Sequence, residues 1–337
     1  MQNQNKKINI LFTSVGRRVE LIQEWKTALG NNGVNGNIFG TDIDPLASAM
    51  QIIDKGIIVS RTESPEYISQ IIQICKSNKI DLIFPLIDPD IPVLARNKNK
   101  IENTGAKLVL IDKKFVDLAQ DKWNTYKLFN SLGLNTPRSW LPSDSMGLDK
   151  NTYPVFIKPR TGSASIGAQK AISKQHLEKL IENTEYPIIQ EFIEGDEITC
   201  DVICGLGGNV LSIIQRQRIE VRSGEVSKGK TVFNQEVMDS CIKIAGSMGA
   251  IGPITIQCII KKNTPYFIEI NPRYGGGAPL GIAAGATSPE WYIKEFLGLK
   301  CDVPGLGEYK RNLYMTRADQ TFFLNEEDLL RIKNNNI

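Results

Sequence analysis

The stretch FIEINPRYGGG, residues 267 to 277, sets Glu269 and Asn271 two residues apart in an otherwise apolar run, then adds Arg273 and three glycines. In a β-strand, period two puts Phe267, Glu269 and Asn271 on one face and Ile268 and Ile270 on the other. The upstream run ITIQCIIKK reads as the partner strand of a hairpin and places Gln257 among Ile254, Ile256, Cys258 and Ile260. Buried amides and carboxylates are costly unless paired or bound to a cation. Gln257, Glu269 and Asn271 are oxygen donors that, with waters and phosphate oxygens, would suit Mg²⁺, or Mn²⁺ in its place. Arg273, one strand step further, could clamp a phosphoryl group with two parallel hydrogen bonds. Standing alone, the hairpin is equally consistent with a satisfied polar patch in a sheet.

A second segment changes that balance. Lys158 ends the apolar strand YPVFIKP and precedes Pro159, which stops the ladder, so its ammonium stands at the mouth of the loop RTGSASIGA. Close backbone N–H groups and hydroxyls are what a flap over phosphates needs. Most Gly/Ser loops are only connectors. A strand, a lysine and such a loop followed about 100 residues later by an oxygen-donor hairpin is a stronger pattern.

The elements that must position these groups fall into two patterns. Residues 8 to 118 alternate short β-branched runs with amphipathic segments, a βαβα arrangement with parallel strands. Strand ends in such sheets face a crevice, which puts Ser14 to Arg18, Asp42, Asp44, Asp88 and Asp90 along one rim, though an Asp before a helix is commonly its cap. One helix, VDLAQDKWNTYKLFNSLG, is expected next, closed by Gly133. Beyond it, residues 150 to 210 read as antiparallel α+β, followed by strands to 235, a helix over 236–249, the hairpin, a helix near 289–297 and a late strand around RNLYMTRADQTFF. The Asn-rich end is expected to fray. No internal repeat is visible.

The 337 residues are 41% apolar and 23% charged with a formal charge of +3, enough chain for two or three packed units and without a basic stripe for nucleic acid. The first apolar run, INILFTSVG, is too short for a membrane span, and a cytoplasmic location is expected. Six cysteines form no C-x-x-C pair and read as free thiols. The one histidine, His176, lies in a polar helical segment, which leaves a histidine-based triad or zinc site nothing to build on.

FIKP with TGSASIG, then QEFIEGDEITCDV, then IQC with FIEINPR resemble the successive nucleotide-binding segments of the ATP-grasp superfamily. The likeness is greatest to carbamoyl-phosphate synthase large-subunit-like and L-amino-acid-ligase-like proteins and spans roughly residues 8 to 300. It implies an ATP-grasp fold, α/β and α+β, behind a parallel-sheet, Rossmann-like pre-ATP-grasp domain. The expected divisions are 1–118 for that domain, 119–190 for a lid with the phosphate flap, and 191–337 for a core with the metal site. By position, Lys122 and Lys158 resemble the lysines on the nucleotide phosphates. Ser163, Ser165 and Gly167 resemble flap residues, Glu191, Phe192 and Ile193 the segment at the adenine edge, and Glu197 the ribose carboxylate. Gln257, Glu269 and Asn271 resemble the magnesium ligands and Arg273 the arginine over the transferred phosphate. ATP and Mg²⁺ are the implied cofactors.

The resemblance implies a carboxylate–amine ligase acting through an acylphosphate, with Arg273 and Lys158 as its catalytic pair, small-molecule substrates, and no nucleic-acid or membrane partner; a homodimer is compatible with it. Asp88, Arg216, Arg222, Gly275 and Gly276 are candidate substrate contacts. Where the synthases carry serine and charge after the arginine, this chain has YGGGAPL, and a single ATP-grasp unit fits its length. Both points rank bicarbonate activation second. A regulatory protein that holds ATP without turnover is a rival of another class, opposed by the intact Glu269, Asn271 and Arg273. A nicotinamide dehydrogenase fails because TSVGRRVEL has one glycine where the dinucleotide fingerprint needs three.

Overall fold

A computed structural model describes residues 7–145, 147–162, 167–222 and 224–335. The chain begins with β1 (Lys7–Thr13), α1 (Val19–Asn31), β2 (Asn35–Asp42), β3 (Lys55–Ile58), α2 (Tyr67–Asn78), β4 (Leu82–Pro85), α3 (Asp90–Arg96), α4 (Lys98–Glu102) and β5 (Lys107–Leu108). These strands form one parallel sheet in the order β3-β2-β1-β4-β5. Six of the seven β1 residues are buried, as expected where helices cover both faces. The strand order reverses between β1 and β4, and that switch point opens a crevice at their carboxyl ends.

Two helices follow, α5 (Lys113–Gln120) and α6 (Lys122–Ser131), where one continuous helix is predicted from the apolar spacing. Asp121 breaks it. Its backbone is extended and its carboxylate caps α6 by accepting from the Trp123 N–H at 2.9 Å. Then come β6 (Ser139–Trp140), α7 (Pro142–Ser145), β7 (Val155–Pro159), β8 (Gln169–Ala171), α8 (Lys174–Asn183) and β9 (Pro187–Glu191), with the strands in an antiparallel sheet of order β6-β9-β7-β8.

The remainder comprises β10 (Asp196–Cys204), β11 (Val210–Arg222), β12 (Glu225–Val232), α9 (Gln235–Ser247), β13 (Gly252–Lys261), β14 (Thr264–Asn271), α10 (Ala278–Ala283), α11 (Ser288–Phe296), β15 (Tyr314–Thr316) and α12 (Glu326–Asn334). Its antiparallel sheet runs β14-β13-β10-β11-β12-β15. Helix α12 starts in a capping box formed by Asn325 and Asp328 and runs into the Asn-rich end as far as Asn334, and the Asn335 amide donates to the Gly56 carbonyl; residues 336 and 337, also expected to fray, lie outside the described residues. The β13–β14 turn uses Lys262 and Asn263, both at positive φ, as a two-residue hairpin turn requires.

Strict alternation fails in β14. Gln257 pairs with Glu269 but Cys258 pairs with Phe267, so Ile268 is the extra residue of a β-bulge. Phe267 therefore turns away from Glu269 into the core with Ile270, Cys258 and Ile256. The phenylalanine that sat awkwardly on the polar face in the sequence never shares it.

Trp25 of α1 fixes the first sheet to the third. Its ring lies 5.4 Å from Phe12 and 4.9 Å from Phe84, and stacks at 6.2 Å on Tyr292 of α11. The carboxyl ends of β1 and β4 thereby face the polar side of the six-stranded sheet. All six cysteines are free, and among the described residues no helix is long and apolar enough to cross a membrane.

Candidate active site

One row across four strands carries Arg216, Thr199, Gln257 and Glu269 in register. The next carries Asp201, Thr255 and Asn271. Alternation along each strand puts these side chains on a single face, which the two clefts below share.

The first cleft is lined by Lys122, Phe156, Lys158, Glu197, Ile268 and Glu269, among others, and shares Arg218, Gln257, Asn271 and Arg273 with the second. The bulge is what brings Ile268 into this wall beside Glu269. Burial pushes the Lys158 ammonium down to about 8; Glu269 and Glu197 resist the shift and Lys122 adds to it. Lys122 Nζ donates to the Gly162 carbonyl at 2.7 Å, and the Lys122 N–H donates to the Arg160 carbonyl at 2.9 Å. Arg160 grips Asp121 through both Nε and Nη2 and lies 4.2 Å over the Tyr186 ring, so the residue that splits the helix also fixes the mouth of the flap. Glu197 pairs with Arg218.

Gly162 and Gly167, at either end of the flap, hold φ values of +96° and +73°, which glycine adopts without strain. Ser163 and Ser165 lie outside the described residues. Glu191 ends β9 and pairs with Val155, and Phe192 and Ile193 follow it, but the three are not among the described residues lining the cleft. The Glu191 N–H is held by the Arg138 carbonyl at 2.8 Å, and Lys170 Nζ sits 3.9 Å over the Phe192 ring.

The second cleft lies between this face and the ends of β1 and β4. Asp88 and Arg273, two predicted site residues, bind each other here: Nε donates to Oδ1 at 2.8 Å and Nη2 to Oδ2 at 2.6 Å. Burial alone would lower the Arg273 pKa, but Asp88, Glu269 and Glu225 outweigh it and hold the guanidinium above its ordinary value. Arg216 is 2% exposed and bidentate to Asp201, Nε to Oδ2 at 2.5 Å and Nη2 to Oδ1 at 2.7 Å. It is a wall of the cleft, its fork already occupied.

The three glycines now have a steric reason. A Cβ on Gly277 would sit 2.1 Å from Arg216 Nη1, one on Gly276 2.9 Å from Arg18 Nη1, and one on Gly275 3.1 Å from both Arg216 Nη2 and Thr255 Oγ1. Any larger residue would displace the arginines beneath.

Arg222 does not join them. It lies on the exposed end of β11 and pairs with Asp319 at 3.0 Å, outside both clefts. Sequence reasoning missed Glu225, Asp201 and Arg317. Asp201, a lone carboxylate in the apolar run ITCDVICG, carried the same signal as Glu269; Glu225 and Arg317 sit in polar stretches with no such contrast.

The donor set fits a hard divalent cation. Gln257, Glu269 and Asn271 occupy adjoining positions on one face, and their side-chain oxygens have no hydrogen-bond partner among the described residues. One carboxylate and two amides leave room for phosphate oxygens and water around Mg²⁺. No group of three His, Cys, Asp or Glu among the described residues competes as a metal site.

Residues 119–277 match the family described as ATP-grasp domain, and residues 10–109 that described as PylC-like, N-terminal domain. The chain thus carries an ATP-grasp domain behind a PylC-like N-terminal domain, and the relatives that it resembles are ATP-dependent ligases. It is 26% identical over 263 residues to a carbamoyl-phosphate synthase of Methanobrevibacter smithii, covering 73% of this chain and 69% of that one. To a D-alanine–D-alanine ligase of Fusobacterium nucleatum it is 27% identical over 208 residues, covering 56% and 71%. The fold is similar to the biotin carboxylase domain of Hydrogenobacter thermophilus 2-oxoglutarate carboxylase, solved with MgADP and bicarbonate, at a TM-score of 0.72 and 18% identity over 91% of this chain and 73% of that one.

Proposed function

We propose that this chain joins a carboxylate to an amine at the expense of ATP, through an acylphosphate, releasing ADP and phosphate. The observation that carries the reading is the adjacency of the two clefts: unpartnered oxygen donors and Lys158 on one side, an arginine-lined space on the other, and Arg273 between them.

Lys158 and Lys122 bind the triphosphate in the first cleft. A divalent cation on Gln257, Glu269 and Asn271 would neutralise charge on the transferred phosphoryl group. The substrate carboxylate in the second cleft attacks the γ-phosphorus; an O–P bond forms, the bond to the β,γ-bridging oxygen breaks, and ADP leaves. Arg273, held in orientation by Asp88, stabilises the equatorial oxygens as charge redistributes. An amine then attacks the acyl carbon, the C–O bond to phosphate breaks, and the amine proton passes to solvent. The flap 160–168 would exclude water from the acylphosphate meanwhile. The three segments 1–118, 119–190 and 191–337 supply acceptor crevice, lid and metal-bearing core in this scheme.

Bicarbonate activation stays as the second reading. The Methanobrevibacter smithii synthase matches this one-unit chain over 69% of its own length, so a single ATP-grasp unit does not argue against it.

The test is ADP and phosphate release with MgATP across a matrix of small carboxylates, bicarbonate and amines, with Glu269→Ala as blank. Release needing both an organic acid and an amine supports the ligase. Release with bicarbonate alone supports the second reading. Nucleotide binding without turnover under any pair would leave the regulatory reading in possession.

A further inference from the structure

The second cleft holds more positive charge than one reacting carboxylate requires, and the excess is localised. Three of its arginines are balanced one to one: Arg216 by Asp201, Arg218 by Glu197 and Arg273 by Asp88. Around Glu225 the balance fails. Arg18 Nη1 lies 3.0 Å from Glu225 Oε1, Arg317 Nη1 3.1 Å from Glu225 Oε2, and Arg17 Nε 3.5 Å from the same Oε2. Glu225 is thus shared by several guanidinium groups. Arg18 Nη1 is buried without a hydrogen-bond partner among the described residues, whereas Arg317, outside the cleft, also donates to the Gly276 carbonyl and lies 4.0 Å from Glu20 Oε1. Orphaned charged donors of this kind are expensive. Burial pushes Arg18 down to about 10, with Arg273, Arg317 and Arg17 adding like-charge repulsion that Glu225 only partly offsets.

Arg18 is also held in place. The loop carrying it is tied by the Gly16 N–H to Asp42 Oδ2 at 2.8 Å, by the Arg18 N–H to the Val15 carbonyl at 3.0 Å, and by the Ala49 N–H to the Gly16 carbonyl at 2.9 Å. Ser14 sits at φ 51°, off the usual region for a side-chain-bearing residue. Gly276 packs directly beneath the guanidinium. A strained, fixed loop that aims an under-satisfied cation into a cleft at the sheet's switch point is built to receive an anion.

From this geometry, and resting on the ligase reading, we infer that the acid substrate carries a second anionic group, held by Arg18 with Arg17 on the Glu225 side of the cleft. The substrate class is a short dicarboxylate or an acid of equivalent charge. Arg18 is then a specificity-determining residue.

The test is calorimetric titration of the full chain saturated with MgADP, using chain-matched pairs: succinate against butyrate and glutarate against pentanoate. The dianion should bind about tenfold or more tightly, the equivalent of one charge-assisted hydrogen-bonded contact. Arg18→Met, which keeps the packing on Gly276, should abolish the preference, and Arg18→Lys should retain part of it. MgADP affinity verifies that each variant is folded. Equal binding of both partners of each pair, no binding of either, or a preference untouched in Arg18→Met would overturn the inference while leaving the ligase reading intact. A wild-type chain that fails to bind MgADP overturns both.

Discussion

Arg273 and Asp88, 185 positions apart in sequence, form a two-pronged ion pair that joins the last strand of the metal-bearing face to the end of β4 in the parallel sheet. A guanidinium that must stabilise charge on a transferred phosphoryl group is thereby oriented by the domain that supplies the acceptor crevice. Neither sheet alone would fix it.

Removing either partner should therefore have different consequences. Arg273→Ala should lower kcat by about 100-fold or more, the scale of a single oriented electrostatic group. Asp88→Ala should leave Arg273 charged and misdirected, lowering kcat less while costing roughly 2–3 kcal/mol of stability, because a largely buried cation loses its partner. Steady-state kinetics and urea unfolding read the two effects separately. Equal kinetic losses with unchanged stability would refute the orienting role.

The metal site makes an asymmetric prediction. Chelation of divalent cations should abolish turnover. Glu269→Ala, which removes the one anionic donor, should raise the Mg²⁺ concentration for half-maximal ADP release far more than Gln257→Ala, which removes a neutral amide. A Gln257 variant equal to or worse than the Glu269 variant would argue that the cation sits elsewhere.

Two glycines test the steric reading of the YGGG run. Gly277→Ala drives a methyl against Arg216 Nη1 and should cost roughly 1–3 kcal/mol and most of the activity. Gly246→Ala, in α9 with nothing within 4 Å of the added methyl, should stabilise by about 0.5–1 kcal/mol. Thermal and urea unfolding of both variants provide the comparison.

Asp90 should leave a pH signature. Burial pushes its carboxyl up to about 6, against hydrogen bonds from the Thr13 and Ser14 hydroxyls that favour the ionised form; the charge of Asp42 adds to the rise. Between its unfolded value near 3.8 and about 6 the native state binds more protons than the unfolded one, so Asp90 subtracts stability progressively as pH rises through that window. Asp90→Asn lacks this slope. Its unfolding free energy relative to the native sequence should increase from pH 4 to pH 6.5 and level off above. A constant difference across that range would show that Asp90 ionises in the folded chain as it does in the unfolded one.

Much of this protein was legible in its residues because the signals are local. Parallel strands follow from β-branched runs spaced by amphipathic segments, and the hairpin with Gln257, Glu269 and Asn271 follows from period two. Lys158 before Pro159 marks the end of a strand wherever that strand lies. The helix break at Asp121 was hidden because Asp is as compatible with a helix interior as with a cap, and only the Arg160 contact decides between them. The bulge at Ile268 was hidden because a register shift belongs to a strand pair and leaves no mark in either strand alone.

The charge pairs belong wholly to the tertiary structure. Nothing in the order of residues says that Arg273 would be met by Asp88 and Arg216 by Asp201, that Arg222 would be left on an exposed edge, or that Arg18 and Arg317 would crowd one Glu225. Ion-pair energy depends on separation and burial, and both are set by how three sheets dock. Sequence specified which chemical groups the chain carries and which strand face presents them; docking decided which stay unpartnered and so available to a ligand.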